Sequence, residues 1–276
     1  MWLCLAVLAV FLSGVMGVAS SVAMRSGKSG LIDATWSFAV GLAAIAAALW
    51  PLFDTDVLAR RLLVASMAAV WSARLGIYIA RRSHSGGDDP RYAALKQEWG
   101  ASAARQLFLF LQIQAVAGWP LVGAALLAAH NPVPHVRVLD VLGALVFLAG
   151  VAGESLADSQ MGAFRANPAN RGRICDAGLW SWSRHPNYFF EWVCWLAYAL
   201  IAADFSGAWP WGWLAFAAPA TMYVLLVRVS GIPPLEAHLE KSRAQAFAEY
   251  KRRVSAFWPL PPRSREATPA SRKADM

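Results

Sequence analysis

The feature that most constrains this chain is the recurrence of long apolar runs. Seven of them, at about 1–24, 31–50, 57–80, 107–130, 138–157, 187–203 and 209–229, approach or exceed the roughly 20 residues with which a helix crosses about 30 Å of hydrocarbon. Lipid offers the backbone no hydrogen bonds, so a spanning segment must satisfy its own, and runs of this length predict helices. The expected fold is an all-α integral membrane protein: one seven-helix domain over 1–262, closed by an amphipathic C-terminal helix and followed by a tail, 263–276, expected to be disordered. The chain is 58% hydrophobic with only 15% charged residues, where a soluble domain carries about 25%.

The net charge of +8 does not point to nucleic acid, because the basic residues lie between and after the apolar runs. Grouped by segment, 21 Lys and Arg fall on one side, only Arg60, Arg61 and Arg137 on the other, and Arg74 inside a run. The positive-inside rule then predicts an outside N-terminus, with the long polar loops and the tail in the cytoplasm. The first run lacks a basic leader and is long for a signal peptide, so an uncleaved first span is expected. Cys4, Cys175 and Cys194 have no metal-binding or disulfide spacing.

Polar residues interrupt this background in a few places. Asp33 opens the second run three residues before Trp36; burying it unpaired is costly, so it is either a functional group or a hydrated helix cap. Arg74 and Tyr78 share a helix face one turn beyond Trp71. Arg74 either snorkels to the interface or partners Asp33. The loop from Arg81 to Tyr92 combines glycines with arginines, which suits a phosphate but also merely fixes orientation in many membrane proteins. Gln112 and Gln114 need partners without naming a chemistry.

At the end of the fifth run Glu154 and Asp158 share a face, with Gln160 and Arg165 beyond. Like charges so close need a neutral partner or interposed cations, and a site for hydroxyls and amides is expected rather than a metal. A plain polar helix end is the other reading. Then comes RGRICDAGLWSWSRHPNYFFE, in which Arg171, Arg173 and Arg184 have the charge to surround a diphosphate. Pro186 tends to start a helix, placing Asn187, Tyr188 and Glu191 on its first turns beside free backbone N–H groups, with His185 just before. After the seventh run a Pro-Pro turn leads into a helix with Ala244, Phe247 and Tyr250 near one face, expected to lie along the cytoplasmic membrane surface. Glu236 and His238 either reach the site or face solvent.

The motifs GESLADSQ, GLWSWSRHPNYFFE and SGIPPLE, together with DATW, RLGIY and GGDDPRY, resemble the bacterial branch of the steroid 5-alpha-reductase family over about Asp33 to Pro261. That resemblance implies a seven-helix membrane fold, in a bacterial inner membrane, that takes NADPH from the cytoplasm and reduces a carbon-carbon double bond conjugated to a steroid ketone. It implies cofactor contacts at Asp158, Arg165, Arg173, Asn187 and Glu191, with Arg74, Tyr78 and Tyr188 as additions. Arg171, Arg184 and His185 join them from the reading of the loop. At the catalytic pair the sequence departs from the vertebrate pattern, with Asp33 or Ala34 and Trp71 at those positions. Asp33, if neutral, is the expected proton donor, with Tyr78 the other candidate and Trp36 and Trp71 as substrate contacts. The RHPNY element also resembles membrane methyltransferases that use S-adenosylmethionine. A transporter or lipid-binding bundle without a nucleotide is the non-enzymatic alternative. The sequence leaves the oligomeric state open.

Overall fold

The computed structural model describes residues 1–52, 57–84 and 89–263. Its helices are α1 (Trp2–Ser26), α2 (Ile32–Leu49), α3 (Leu58–His84), α4 (Pro90–Trp99), α5 (Ala103–Ala129), α6 (Val138–Ala166), α7 (Pro186–Ala202), α8 (Ala217–Val224), α9 (Ile232–Ser242) and α10 (Ala244–Arg253). Among the described residues six helical segments are long and apolar enough to cross a membrane: α1, α2, α3, α4 continued into α5, α6, and Pro210–Ser242. The molecule is an all-helical membrane protein. Ser85, Gly86, Gly87 and Asp88 of the expected phosphate loop, and all of the expected disordered tail except Arg263, lie outside the described residues.

The count is six, not seven, because of α7, and one of the six is irregular. Helix α7 has 17 residues and is short for a full crossing. The run expected as one helix over 209–229 is composite: 3₁₀ turns over Pro210–Phe216, then α8, then a wide π turn over Leu225–Val229. Prolines 210 and 219 withhold the N–H groups that a regular α ladder needs. Helix α6, by contrast, runs on to Ala166 and carries Glu154, Asp158, Gln160 and Arg165 on one rod. Helix α4 was not foreseen. Asp89 caps it by accepting the backbone N–H of Arg91 at 2.9 Å, with Pro90 in the first turn.

The chain divides into two compact units, Met1–Leu148 with Val193–Met222, and Ala149–Trp192 with Tyr223–Met276. In the first, α2 and α3 come close because small residues line α2: Ala39, Ala43, Ala44, Ala47 and Ala48 are buried. A methyl group on Gly41 would fall inside the Ser72 side chain, whose hydroxyl donates to Ser37 O at 3.1 Å. Trp71 lies edge-on to both Trp36 (6.4 Å) and Trp195 (4.7 Å).

Three arginines tie off helix ends and the α5–α6 connection in this unit. Arg60, 1% exposed, pairs with Asp140 (2.9 Å) and donates to the carbonyls of Asn131, Val133 and His135. Arg61 donates to Ala48, Leu49 and Trp50 at the C-terminus of α2. Arg137 donates to Ile201 and Ala203 at the C-terminus of α7 and also holds Asp140. The last carbonyls of a helix have no partner within it, and a guanidinium carries five donors, so one residue can close a whole turn.

In the second unit the apolar face of α10 is turned inward. Phe247, Tyr250 and Val254 are buried together against Ile174 and Leu239, and Tyr250 Oη donates to Trp180 O at 2.5 Å. The face expected to enter the membrane surface is therefore used within the protein.

Candidate functional site

In the first unit a polar nest forms where α2 starts. Asp33 Oδ1 accepts the Tyr92 hydroxyl at 2.8 Å, and Oδ2 accepts Arg91 Nη2 at 2.5 Å. Arg91 also binds Asp89 (2.9 Å), so one guanidinium bridges two carboxylates. The Tyr92 oxygen in turn accepts Gln114 Nε2 at 3.0 Å, while the Gln114 backbone carbonyl accepts Trp36 Nε1 at 2.9 Å. Gln114 thus links the nest to the Trp36–Trp71 pair. Asp33, the donor expected if neutral, is ion-paired here with Arg91 and accepts both of these hydrogen bonds.

Arg91 and Tyr92, expected only as part of a basic loop, stand instead on the first turn of α4 and face Asp33. The signal was present in the Asp-Pro pair ahead of them, a helix start that puts both on a first turn. The other expected donor, Tyr78, has the Arg74 guanidinium over its ring at 5.6 Å. Arg74 therefore meets Tyr78, while the partner of Asp33 is Arg91.

In the second unit the polar residues of α6 meet the segment that leads into α7. Gln160 accepts the N–H of Leu179 (2.9 Å), and the indole N–H of Trp180 reaches Ala157 O at 2.9 Å. Gly178 allows this approach: its φ is +60°, and a Cβ there would press on the Gln160 amide at 2.7 Å. Asn187 Nδ2, in the first turn of α7, donates to Asp158 Oδ1 at 3.3 Å. Glu154 and Glu191 are also buried. Among the described residues no cluster of His, Cys, Asp or Glu is arranged to hold a metal ion.

The four arginines of this region divide into two kinds. Arg184 is buried: Nε bonds Glu236 (2.8 Å), Nη1 bonds Val254 O (2.5 Å), and the guanidinium stands 6.0 Å from the centre of the Phe247 ring. His185 shares Glu236 at 3.1 Å and stacks on Tyr188 at 5.6 Å. Burial holds the His185 imidazole below its ordinary pKa, Arg184 adds to that, and Glu236 opposes it. This trio joins the start of α7 to α9 and the C-terminal segment, with Arg184 Nε and Nη1 both engaged within the protein. Arg165, Arg171 and Arg173, in contrast, are exposed and form no ion pair among the described residues. Arg173 makes one long bond, 3.4 Å, to Asn170, whose own amide is anchored on Phe164 O.

Fold and sites together define a helical membrane protein with a polar nest in one unit and a basic, hydrogen-bonded loop in the other. Residues 20–254 match DUF1295, a family described as a protein of unknown function, and the chain belongs to that family. No curated protein and no solved structure matches it.

Proposed function

We propose that this protein is an NADPH-dependent reductase of a carbon-carbon double bond conjugated to a ketone in a flat, lipophilic molecule. Its resemblance to the steroid 5-alpha-reductase family makes 3-oxo-Δ4 steroids such as testosterone or progesterone the first substrates to try. The observation that carries the reading is the contrast among the arginines: Arg165, Arg171 and Arg173 keep their guanidinium groups exposed, in the same unit as the Asp158–Asn187 pair. Exposed guanidiniums fit phosphate by charge-assisted bonds, and amide and carboxylate groups fit ribose hydroxyls.

NADPH, when bound, supplies the hydride. The chain's tasks are to hold the phosphates with Arg165, Arg171 and Arg173, to hold hydroxyls and amides with Asp158 and Asn187, and to stabilise the negative charge that grows on the ketone oxygen. Half-buried Trp36 is the flat apolar group for the substrate; Trp71, expected beside it, is 1% exposed and packs edge-on behind it. On this reading α7 is a seventh, short span and α10 is cytoplasmic, with the N-terminus outside in a bacterial inner membrane. Orientation is supported by the way Arg60, Arg61 and Arg137 are engaged. They bind carboxylate and helix-end carbonyls, so as exceptions to the positive-inside count they carry little weight.

The test is made on purified protein in detergent. NADPH oxidation is followed by absorbance with and without progesterone, and the product mass is checked for a gain of two hydrogens. Steroid-dependent consumption is the expected result. Absence of NADPH binding together with binding of S-adenosylmethionine would replace this reading with methyl transfer.

A further inference from the structure

We infer that the membrane contact expected of α10 falls on the segment after it: residues 255–262, with Trp182 beside them, form an anchor lying in the boundary between the headgroups and acyl chains of the bilayer. This is independent of the reductase reading. No charged residue stands between Arg253 and Arg263, and three of the positions between them are proline. Trp258 is 46% exposed, Leu260 54% and Trp182 47%, and the Leu260 N–H holds the last two together by donating to Trp182 O at 3.0 Å. An aromatic, uncharged stretch closed at both ends by basic residues has the composition of a membrane boundary, where indole rings sit at headgroup depth.

The backbone of this segment is prepared for a layer poor in water. Non-helical chain is tolerated near lipid only where its polar groups find partners. Within residues 259–262 Leu260 alone has an N–H, because the other three are prolines, and Trp182 O takes it. The carbonyls before it are answered in turn. Arg184 N–H donates to Ser255 O at 2.8 Å, and the Ser183 hydroxyl is shared between Ala256 O (3.3 Å) and Phe257 O (3.0 Å). The Ser255 hydroxyl donates to Trp258 O at 2.5 Å. Four consecutive carbonyls are thus satisfied by the protein while apolar side chains beside them stay open. A segment lying in water needs no such arrangement, since water would serve each carbonyl.

The neighbours of the segment say what covers it. Phe257 and Trp258 pack on half-buried Phe189 and Trp192 of α7 and on Tyr223, with ring centres 5.4–6.2 Å apart. Tyr223 belongs to the apolar segment Pro210–Ser242, which is long enough to cross a membrane, and Val224 and Val229 beyond it are exposed. The aromatic patch therefore continues the apolar flank of a spanning segment. Lipid is the occupant this continuity favours over a second copy of the chain. Buried Phe257 fixes the segment to the protein, and Trp258, Leu260 and Trp182 remain to meet the bilayer.

The experiment places a bimane label on the full chain at Leu260→Cys, at Trp182→Cys and, as a control on the exposed side of α10, at Gln245→Cys. The native Cys4, Cys175 and Cys194 are buried, and labelled wild type gives the background. Each protein is put into nanodiscs of phosphatidylcholine and phosphatidylglycerol. Quenching is measured with iodide in the water and, separately, with a lipid carrying a nitroxide near the top of its acyl chain. Expected is nitroxide quenching of the Leu260→Cys and Trp182→Cys labels about threefold stronger than that of the Gln245→Cys label, with the order reversed for iodide. Either site decides alone, so a variant that fails to fold does not remove the test. Iodide quenching at Leu260→Cys as strong as at Gln245→Cys overturns the anchor and puts the segment in water. Protection of Leu260→Cys from both quenchers overturns it in favour of a second copy of the chain covering the patch.

Discussion

Two groups of arginines teach opposite lessons about the same side chain. Arg60, Arg61 and Arg137 hand their donors to carbonyls and to Asp140, and Arg60 is almost wholly buried. Arg165, Arg171 and Arg173 are exposed beside a polar helix end. A buried guanidinium must spend its donors inside the protein because an unsatisfied one is too costly there. An exposed guanidinium keeps them for something that arrives. Counting arginines along a chain cannot separate the two; where the nearest orphan carbonyls lie does.

The comparison can be broken most easily at Arg60. Arg60→Met should cost about 3–5 kcal/mol of stability, because Asp140 is left buried with only Arg137 for an ionic partner. The measurement is thermal unfolding in detergent, and Arg60→Met combined with Asp140→Leu should recover much of the loss. If the single variant melts like wild type, the buried knot is not structural. Arg184 sharpens the comparison, because it lies in the sequence with the exposed group and in the structure behaves like the buried one. Arg184→Ala should cost about 2–3 kcal/mol through Glu236 and Val254, whether or not NADPH is present.

Arg173→Ala should do the reverse. Its melting should stay within about 0.5 kcal/mol of wild type, while NADPH affinity, read by equilibrium titration, should drop about tenfold, or roughly 1.4 kcal/mol. A large stability loss would move Arg173 into the structural group. The smallest effect concerns pH. Burial lowers the pKa of His185 below its ordinary 6.5, so the folded state takes up its proton later than the unfolded state does. The stability that the neutral imidazole contributes is complete above about pH 6.5 and declines as pH falls toward the lower folded value. Thermal melts from pH 7.5 to 5 should show a drop that shrinks in His185→Asn.

The apolar runs made the membrane class legible, and all seven run centres fall on helices, because span length is set by the bilayer rather than by neighbours. The seventh run was misread as one regular helix even though its prolines were in view. The polar contacts divide by distance. Asp158 and Gln160 on one helix turn could be read from spacing alone. Asp33 and Tyr92 are 59 positions apart, and Arg184 and Val254 are 70, so nothing local joins them. For that reason Arg184 was grouped with the loop arginines, and the nearer Arg74, read either as snorkelling or as a partner of Asp33, was considered for that place instead of Arg91.

The arginine knot also has a biogenetic timetable. Arg61 reaches carbonyls 11 to 13 residues behind it, so the end of α2 can be sealed as soon as α3 begins. Arg60 waits for Asp140, 80 residues later, which at ribosomal speeds of about 5–20 residues per second is about 4–16 s of synthesis. Arg137 then waits a further 66 residues for Ala203. During those intervals a nascent chain carries guanidinium groups whose native partners are still to be made, and the same charges that later lock the helix ends hold those ends at the water boundary until then.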